Sequence, residues 1–408
     1  MKCGLLGGKL SHSYSPQIHA HLGDYSYVLF ERSPEALQDF FENGDFDAIN
    51  VTIPYKKDVI SYCAELSPTA RRLGAVNTIV RRPDGTLIGH NTDYFGFESM
   101  LKKSGLSVSG KKVLVLGSGG AANTAIAVLC DHGANVVVIS RSGENNYRNL
   151  QLHADAAAIV NCTPVGMFPN NGVSPVDLSQ FPDLEGVLDM IYNPARTKLL
   201  LDAEKRGIVA LNGLLMLVAQ AKESAEWFTG KSISEKKIGQ IHTLLRRQME
   251  NIILIGMPGS GKSTIGAILA KMTGKQLVDA DAYLTEKAGR PIPEIFATNG
   301  EAAFRKLETE TLAELGKRSG IILATGGGCV TRDENYPLLH QNGTIFCISR
   351  EISALSTDGR PLSQAMKLQD MYRIRKPMYQ RFSDYMIDNN ATADAAATQI
   401  TAIWEERV

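Results

Sequence analysis

The hydrophobic pattern of this chain is a succession of short, unbroken apolar runs separated by longer mixed segments. The runs lie at Val113–Leu116, Val136–Ile139, Ala157–Val160, Gly186–Leu188, Ile252–Ile255, Ile321–Leu323 and Thr344–Ile348. They have strand length and lack polar alternation, which is the signature of strands covered on both faces. Strands of that kind pair in parallel and need crossover connections. Helix-length segments such as Ala121–Asp131 stand between them, so the pattern predicts an α/β fold. Further strands are predicted around Ala48–Thr52 and Val76–Arg81. A helical pattern from about Ser234 to Gln248 runs almost directly into the Ile252 strand, placing a domain boundary near Glu250 with little linker. A second boundary near Thr92 divides the first part into two lobes, and a cleft between lobes is a favoured place for a small ligand.

Composition changes this picture in three ways. A chain of 408 residues exceeds what one hydrophobic core serves, which agrees with several domains. Its 43 basic and 43 acidic residues cancel, and the stretch from Asn251 onward holds 18 of each, so neither part holds a polyanion by bulk charge. Nucleic acid is not an expected partner, and phosphate binding must come from local loops. No apolar run reaches the roughly 18 to 20 residues that span a bilayer, and the stretch after Lys2 breaks at Gly7–Gly8, too early for a signal peptide. No membrane partner is expected. Six cysteines occur without a CxxC pair or a histidine at metal spacing, which points to unpaired thiols in the cytoplasm. Oligomeric state has no signature here.

Two glycine-rich loops carry nucleotide chemistry. The first follows the Val113 strand: Gly117, Ser118, Gly119, Gly120 and Ala121 lead to Ala122 in the order G-x-G-x-x-A and open a helix. Small residues there let a pyrophosphate approach the helix N-terminus. Ser140, Arg141 and Ser142 end the next strand, where an NAD enzyme places an acidic residue; a cation flanked by hydroxyls suits a 2′-phosphate and predicts NADP(H). The second loop, GMPGSGKST at Gly256–Thr264, fits G-x-x-x-x-G-K-[ST]. Gly259, Ser260, Gly261, Lys262, Ser263 and Thr264 would cradle the phosphates of ATP, with the Ser263 hydroxyl on Mg²⁺.

Four polar clusters without a folding role precede these loops: SHSYSP (Ser11–Pro16), NVTIPYK (Asn50–Lys56), GAVNT (Gly74–Thr78) and GHNTDYFG (Gly89–Gly96). NCTPVGM (Asn161–Met167), DMIY (Asp189–Tyr192) and NGLLMLVAQA (Asn212–Ala221) follow in order. Together they make residues 1–248 resemble the shikimate dehydrogenase family. The resemblance implies Lys56 and Asp93 as the catalytic pair, the ammonium stabilising and protonating the oxygen that becomes negative during hydride transfer. It implies Ser13, Ser15, Thr52, Asn77, Tyr192 and Gln220 around the substrate, and Met190, Gly213 and Met216 at the nicotinamide end. The stretch Ser142–Ala157 is shorter than usual in the family, which predicts a reduced or missing crossover helix.

Beyond the second loop, DAD (Asp279–Asp281), GRPIPEIFATNGEAAFRKLE (Gly289–Glu308), GGG (Gly326–Gly328), GRPL (Gly359–Leu362) and RKPMY (Arg375–Tyr379) resemble shikimate kinases in order and content. By that resemblance Asp281 meets the hydroxyl to be phosphorylated and accepts its proton, and Asp279 helps position Mg²⁺. Arg305 and Arg375 grip the substrate carboxylate, and Gly327 lets the ring approach. Arg360 comes from a lid and stabilises the transferring phosphoryl group. The lid is short, with only Ser353–Gly359 before Arg360, and lacks an earlier basic residue.

The expected architecture is therefore an α/β substrate lobe (1–92, completed by helices of about 212–248), an NADP-binding Rossmann domain (93–211) and a P-loop kinase domain with a parallel sheet (251–408). The expected function is reduction of 3-dehydroshikimate to shikimate followed by its phosphorylation. A quinate-preferring enzyme using NAD is an alternative that Arg141 disfavours. A non-catalytic metabolite sensor is another, disfavoured because Lys56, Asp93, Lys262, Asp281 and Arg305 are all retained.

Overall fold

The computed structural model describes residues 1–10, 13–355 and 368–406. They form two compact units. The first comprises Met1–Val165, Ser174–Tyr192 and Asp202–Leu244, and the second Gly166–Val173, Asn193–Leu201 and Leu245–Val408.

The first unit holds two sheets. In one, β1 (Lys2–Gly7), β2 (Ser26–Glu31), β3 (Ala48–Val51), β4 (Glu65–Leu66), β5 (Thr78–Arg81) and β6 (Leu87–His90) are ordered β2-β1-β3-β5-β6-β4. Only β5 runs against its neighbours β3 and β6. Consequently the carboxyl ends of β1, β3 and β6 and the amino end of β5 share one edge, the edge where the chemistry-bearing residues lie. The other sheet is entirely parallel: β7 (Lys112–Leu116), β8 (Asn135–Ile139), β9 (Ala158–Asn161), β10 (Gly186–Asp189) and β11 (Val209–Asn212), ordered β11-β10-β9-β7-β8. Val113, Val115, Val160 and Leu188 pack under the helices Asp93–Ser104 and Gly120–Asp131. Between β8 and β9 the described chain has only a 3₁₀ turn, Leu150–His153, so this crossover lacks a full helix.

The second unit is built on β12 (Asn251–Ile255), β13 (Gln276–Asp279), β14 (Ile321–Ala324), β15 (Gly343–Ser349) and β16 (Tyr385–Asp388), all parallel and ordered β13-β14-β12-β15-β16. Ile252, Ile253, Leu254 and Ile255 are fully buried, with alternate residues facing two separate core clusters. Two stretches from within the 93–211 region belong to this unit because their polar groups are satisfied there. The Ala195 amide donates to Asn342 Oδ1 at 2.8 Å, the Arg196 amide to the Gln341 carbonyl at 2.8 Å, and Lys317 Nζ to the Pro169 carbonyl at 2.9 Å. Among the described residues no helix is long and apolar enough to cross a membrane.

Candidate functional site

The shared edge of the first sheet assembles a charged pair. Lys56 lies beyond β3, Asn77 precedes β5, and Asp93 opens the helix that follows β6. Lys56 Nζ donates to Asp93 Oδ2 at 2.6 Å, with both side chains mostly covered. Asn77 Nδ2 donates to the other oxygen of Asp93 at 2.9 Å, and the Asp93 amide is capped by Asn91 Oδ1 at 3.1 Å. The carboxylate therefore has one oxygen fixed by a neutral donor, Asn77, and the other given to the ammonium. Gln220, from the helix Leu214–Thr229, brings Oε1 to 3.5 Å of Asn77 Nδ2. Ser13 and Ser15 stand together at the turn after β1, Ser13 Oγ accepting from the Ser15 amide at 3.2 Å, and Tyr14 between them meets the Tyr192 ring edge-on at 6.1 Å. Burial pushes the Tyr192 phenol up from its ordinary pKa. Thr52 follows β3, its amide donating to the Leu6 carbonyl at 2.9 Å.

The parallel sheet of the same unit presents its expected residues at strand carboxyl ends. Gly117–Ala121 follow β7, Ser140–Ser142 follow β8, Met190 follows β10, and Gly213 follows β11 and precedes the helix bearing Met216. Gly117 has φ +104°, the left-handed conformation that lets the chain turn sharply from strand to helix. Arg141 is exposed and, among the described residues, in no ion pair, so its guanidinium remains available to an anion. This arrangement fits a phosphorylated dinucleotide.

Four of the five strands of the second unit, β12, β13, β14 and β15, feed one cavity of about 460 Å³ from their carboxyl ends. Gly256–Thr264 follows β12. Gly259 and Gly261 have φ +82° and +98°, as a loop wrapping backbone amides around an anion requires, and Lys262 Nζ rests on the Gly256 and Met257 carbonyls at 2.9 and 3.0 Å. From β13 comes Asp279, whose Oδ2 accepts from the Ser263 hydroxyl at 2.8 Å while Oδ1 caps the next helix through the amides of Asp281 and Ala282. A hydroxyl and carboxylates beside the phosphate loop are hard oxygen donors and fit Mg²⁺. Burial, then the nearby Glu308 and Asp279 charges, push the Asp281 carboxyl up to about 6.

Arg305 reaches the cavity from the helical stretch Ile292–Leu315, beyond its kink at Gly300, and is gripped by Glu308 at 2.7 Å and Glu301 at 3.2 Å. Arg375 Nη1 donates to the Gly327 carbonyl at 3.1 Å. The glycine run after β14 is contoured to these groups. A methyl at Gly326 would lie 2.6 Å from Asp281 Oδ1, one at Gly327 2.6 Å from Pro258 Cδ, and one at Gly328 would strike the Arg305 guanidinium. Arg360 lies outside the described residues.

A shikimate dehydrogenase (NADP(+)) of Dehalococcoides mccartyi is 38% identical over 260 residues, covering 56% of this chain and 90% of that protein. The chain belongs to the shikimate dehydrogenase family. The family model for the shikimate dehydrogenase substrate binding domain matches residues 5–79, and the one for shikimate kinase matches 258–405, so a shikimate kinase domain follows the dehydrogenase on the same polypeptide. Among solved structures, shikimate dehydrogenase 1 of Peptoclostridium difficile is 38% identical with a TM-score of 0.55, covering 60% of this chain and 97% of that one. The Thermus thermophilus enzyme, solved with NADP(H) and shikimate, is 29% identical with a TM-score of 0.55, covering 59% and 98%.

Several residues of both sites escaped the sequence reading. In the dehydrogenase, Asn50, Thr78, Thr92 and Ser224 form a buried hydrogen-bonded layer behind Asn77. In the kinase, Glu308 is 3% exposed, pairs with Arg305 through one oxygen and leaves the other unpartnered, and burial raises its pKa. It ends a motif that pointed to Arg305 alone. Arg350, just past β15, lines the cavity without an ion pair among the described residues; a lone arginine after a strand carries no signal of its own. Asn389, just past β16, braces the phosphate loop by donating to the Ser260 carbonyl at 2.8 Å.

Proposed function

We propose that the chain is a bifunctional enzyme of aromatic (chorismate) biosynthesis that reduces 3-dehydroshikimate to shikimate with NADPH and phosphorylates shikimate to shikimate 3-phosphate with ATP. The observation that carries the reading is the coexistence of the 2.6 Å Lys56–Asp93 pair and the cavity joining a phosphate loop to Asp281 and Arg305. We assign the substrate lobe to 1–92 with the helices of about 212–248, the NADP domain to 93–211, of which Gly166–Val173 and Asn193–Leu201 pack within the second unit, and the kinase to 251–408.

In the reduction, NADPH supplies the hydride. Lys56, held by Asp93, faces the oxygen where charge develops and gives it a proton, and Asn77 and Gln220 hold hydroxyls of the ring. In the kinase, Mg²⁺ neutralises phosphate charge. Asp281 takes the proton of the attacking hydroxyl, Arg305 and Arg375 hold the carboxylate, and Lys262 turns from its loop carbonyls to the β and γ phosphates. The product of the first site is the substrate of the second, and both partners are small molecules.

One coupled assay tests the whole: 3-dehydroshikimate, NADPH, Mg²⁺ and ATP supplied to the purified chain should yield a phosphorylated acid with one NADPH consumed per product. Replacing NADPH by NADH should slow the first step, because Arg141 has no 2′-phosphate to meet. Absence of NADPH oxidation would return the metabolite-sensor reading, and a preference for quinate with NADH the quinate reading.

A further inference from the structure

Ser224 lies one turn beyond Gln220 on the helix Leu214–Thr229 and is fully buried. Its Oγ has four polar neighbours: Asn50 Nδ2 at 2.8 Å, Thr78 Oγ1 at 2.8 Å, Thr92 Oγ1 at 2.9 Å and the Gln220 carbonyl at 3.0 Å. A hydroxyl has one proton and two lone pairs, so these neighbours fill it. The Asn50 amide is a donor and takes one lone pair. With the Thr92 hydroxyl donating to the other, the Ser224 proton is left for Thr78 Oγ1 at 2.8 Å, with the Gln220 carbonyl at 3.0 Å sharing it. Thr78 then keeps its own proton for Asn77 Oδ1, 3.1 Å away, and the Thr92 amide donates to that same oxygen at 2.8 Å. With Oδ1 saturated from behind, the Asn77 amide group faces forward, onto Asp93. The direction in which Asn77 points is therefore set by a hydroxyl layer whose common member is Ser224.

We propose that Ser224 is a positioning residue of the reduction site: through Thr78 and Thr92 it orients Asn77, and through Asn77 it holds Asp93 so that the carboxylate's free oxygen meets Lys56. The proposal rests on the reading of Lys56 and Asp93 as the catalytic pair. No partner of Ser224 touches Lys56, and two of its partners, Thr78 and Thr92, meet Asn77; the Gln220 carbonyl is a second link to the site, and the double variant below separates the two routes. That route separates it from a residue that merely fills space, whose loss lowers stability but leaves turnover of the folded enzyme unchanged.

The test is made in the full-length chain, with phosphorylation of added shikimate as an internal measure of intact protein. Ser224→Ala should lower kcat for ketone reduction on the order of tenfold to a hundredfold, leaving KM for NADPH and the kinase rate unchanged. Thr78→Val, which keeps volume while removing the same link, should do likewise. Asn77→Ala should also be slow, and Ser224→Ala added to it should cost nothing more, because both act on one interaction. Full kcat in Ser224→Ala with only a lower Tm would overturn the proposal, as would losses that multiply in the double variant. If instead Lys56→Ala and Asn77→Ala both reduce the ketone normally, the reading of the catalytic pair is what fails.

Discussion

Asp281 is the residue whose environment makes the sharpest statement about chemistry. Its carboxyl is raised to about 6 by burial first and by Glu308 and Asp279 next, so the form able to accept a proton is the majority form only above that pH. Shikimate phosphorylation should fall as pH drops through about 6, with an acid limb that Asp281→Asn abolishes together with roughly two or more orders of magnitude of kcat. The substitution should also raise Tm at neutral pH, because a carboxylate held near two others costs stability once ionised. Glu308 belongs to the same cluster and works through Arg305. Glu308→Gln should raise KM for shikimate about tenfold while KM for ATP stays constant, since a 2.7 Å charged anchor of the guanidinium is lost.

At the scale of elements, the phosphate loop is held from outside its own motif. The Asn389 side chain is buried and satisfies the Ser260 carbonyl; removing it leaves that carbonyl without its donor, at a cost of about 1–3 kcal/mol. Asn389→Ala should therefore raise KM for ATP about tenfold and leave ketone reduction untouched, measured on one preparation. Elements also show where the sequence was readable. Central strands β7, β9, β12, β14 and β15 are continuous apolar runs because both faces are covered, and all were visible as such. Of the edge strands, β8 was visible as Val136–Ile139, while β2, β11, β13 and β16 were not; no position of β2 is buried, and the other three are four residues long with polar or partly exposed members. The glycine loops were legible from their spacing, whereas Lys56, Asp93, Asp281 and Arg305 were singled out only through the resemblance of their motifs to known families; the structure brings the first two into contact and the other two to one cavity. Ser224, Thr78 and Glu308 were not legible, since their roles come from three-dimensional neighbours that no local spacing encodes.

For the molecule as a whole, the Lys56–Asp93 pair lies in the first unit and the phosphate loop with Asp281 and Arg305 in the second, so the two proposed reactions use separate groups. Lys56→Ala should stop NADPH oxidation and spare phosphorylation, and Lys262→Ala should do the reverse. Loss of both activities from either change would contradict separate sites. The chain carries no net charge, and in the kinase cavity Lys262, Arg305, Arg350 and Arg375 stand against Asp279, Asp281 and Glu308. Long-range attraction of the anionic substrates is accordingly weak, and kcat/KM should change by less than about threefold between roughly 0.05 and 0.5 M salt. Within the second unit, the strip Gly326–Gly328 is the seam along which three walls meet closely: Asp281, Pro258 of the nucleotide loop and the Arg305 guanidinium. A single methyl there acts as a wedge, and the wall it abuts names the ligand that suffers. At position 327 the wedge bears on Pro258 and at 328 on Arg305, so on the proposed roles Gly327→Ala should raise KM for ATP and Gly328→Ala KM for shikimate, one stretch of missing side chains setting two separately adjustable affinities.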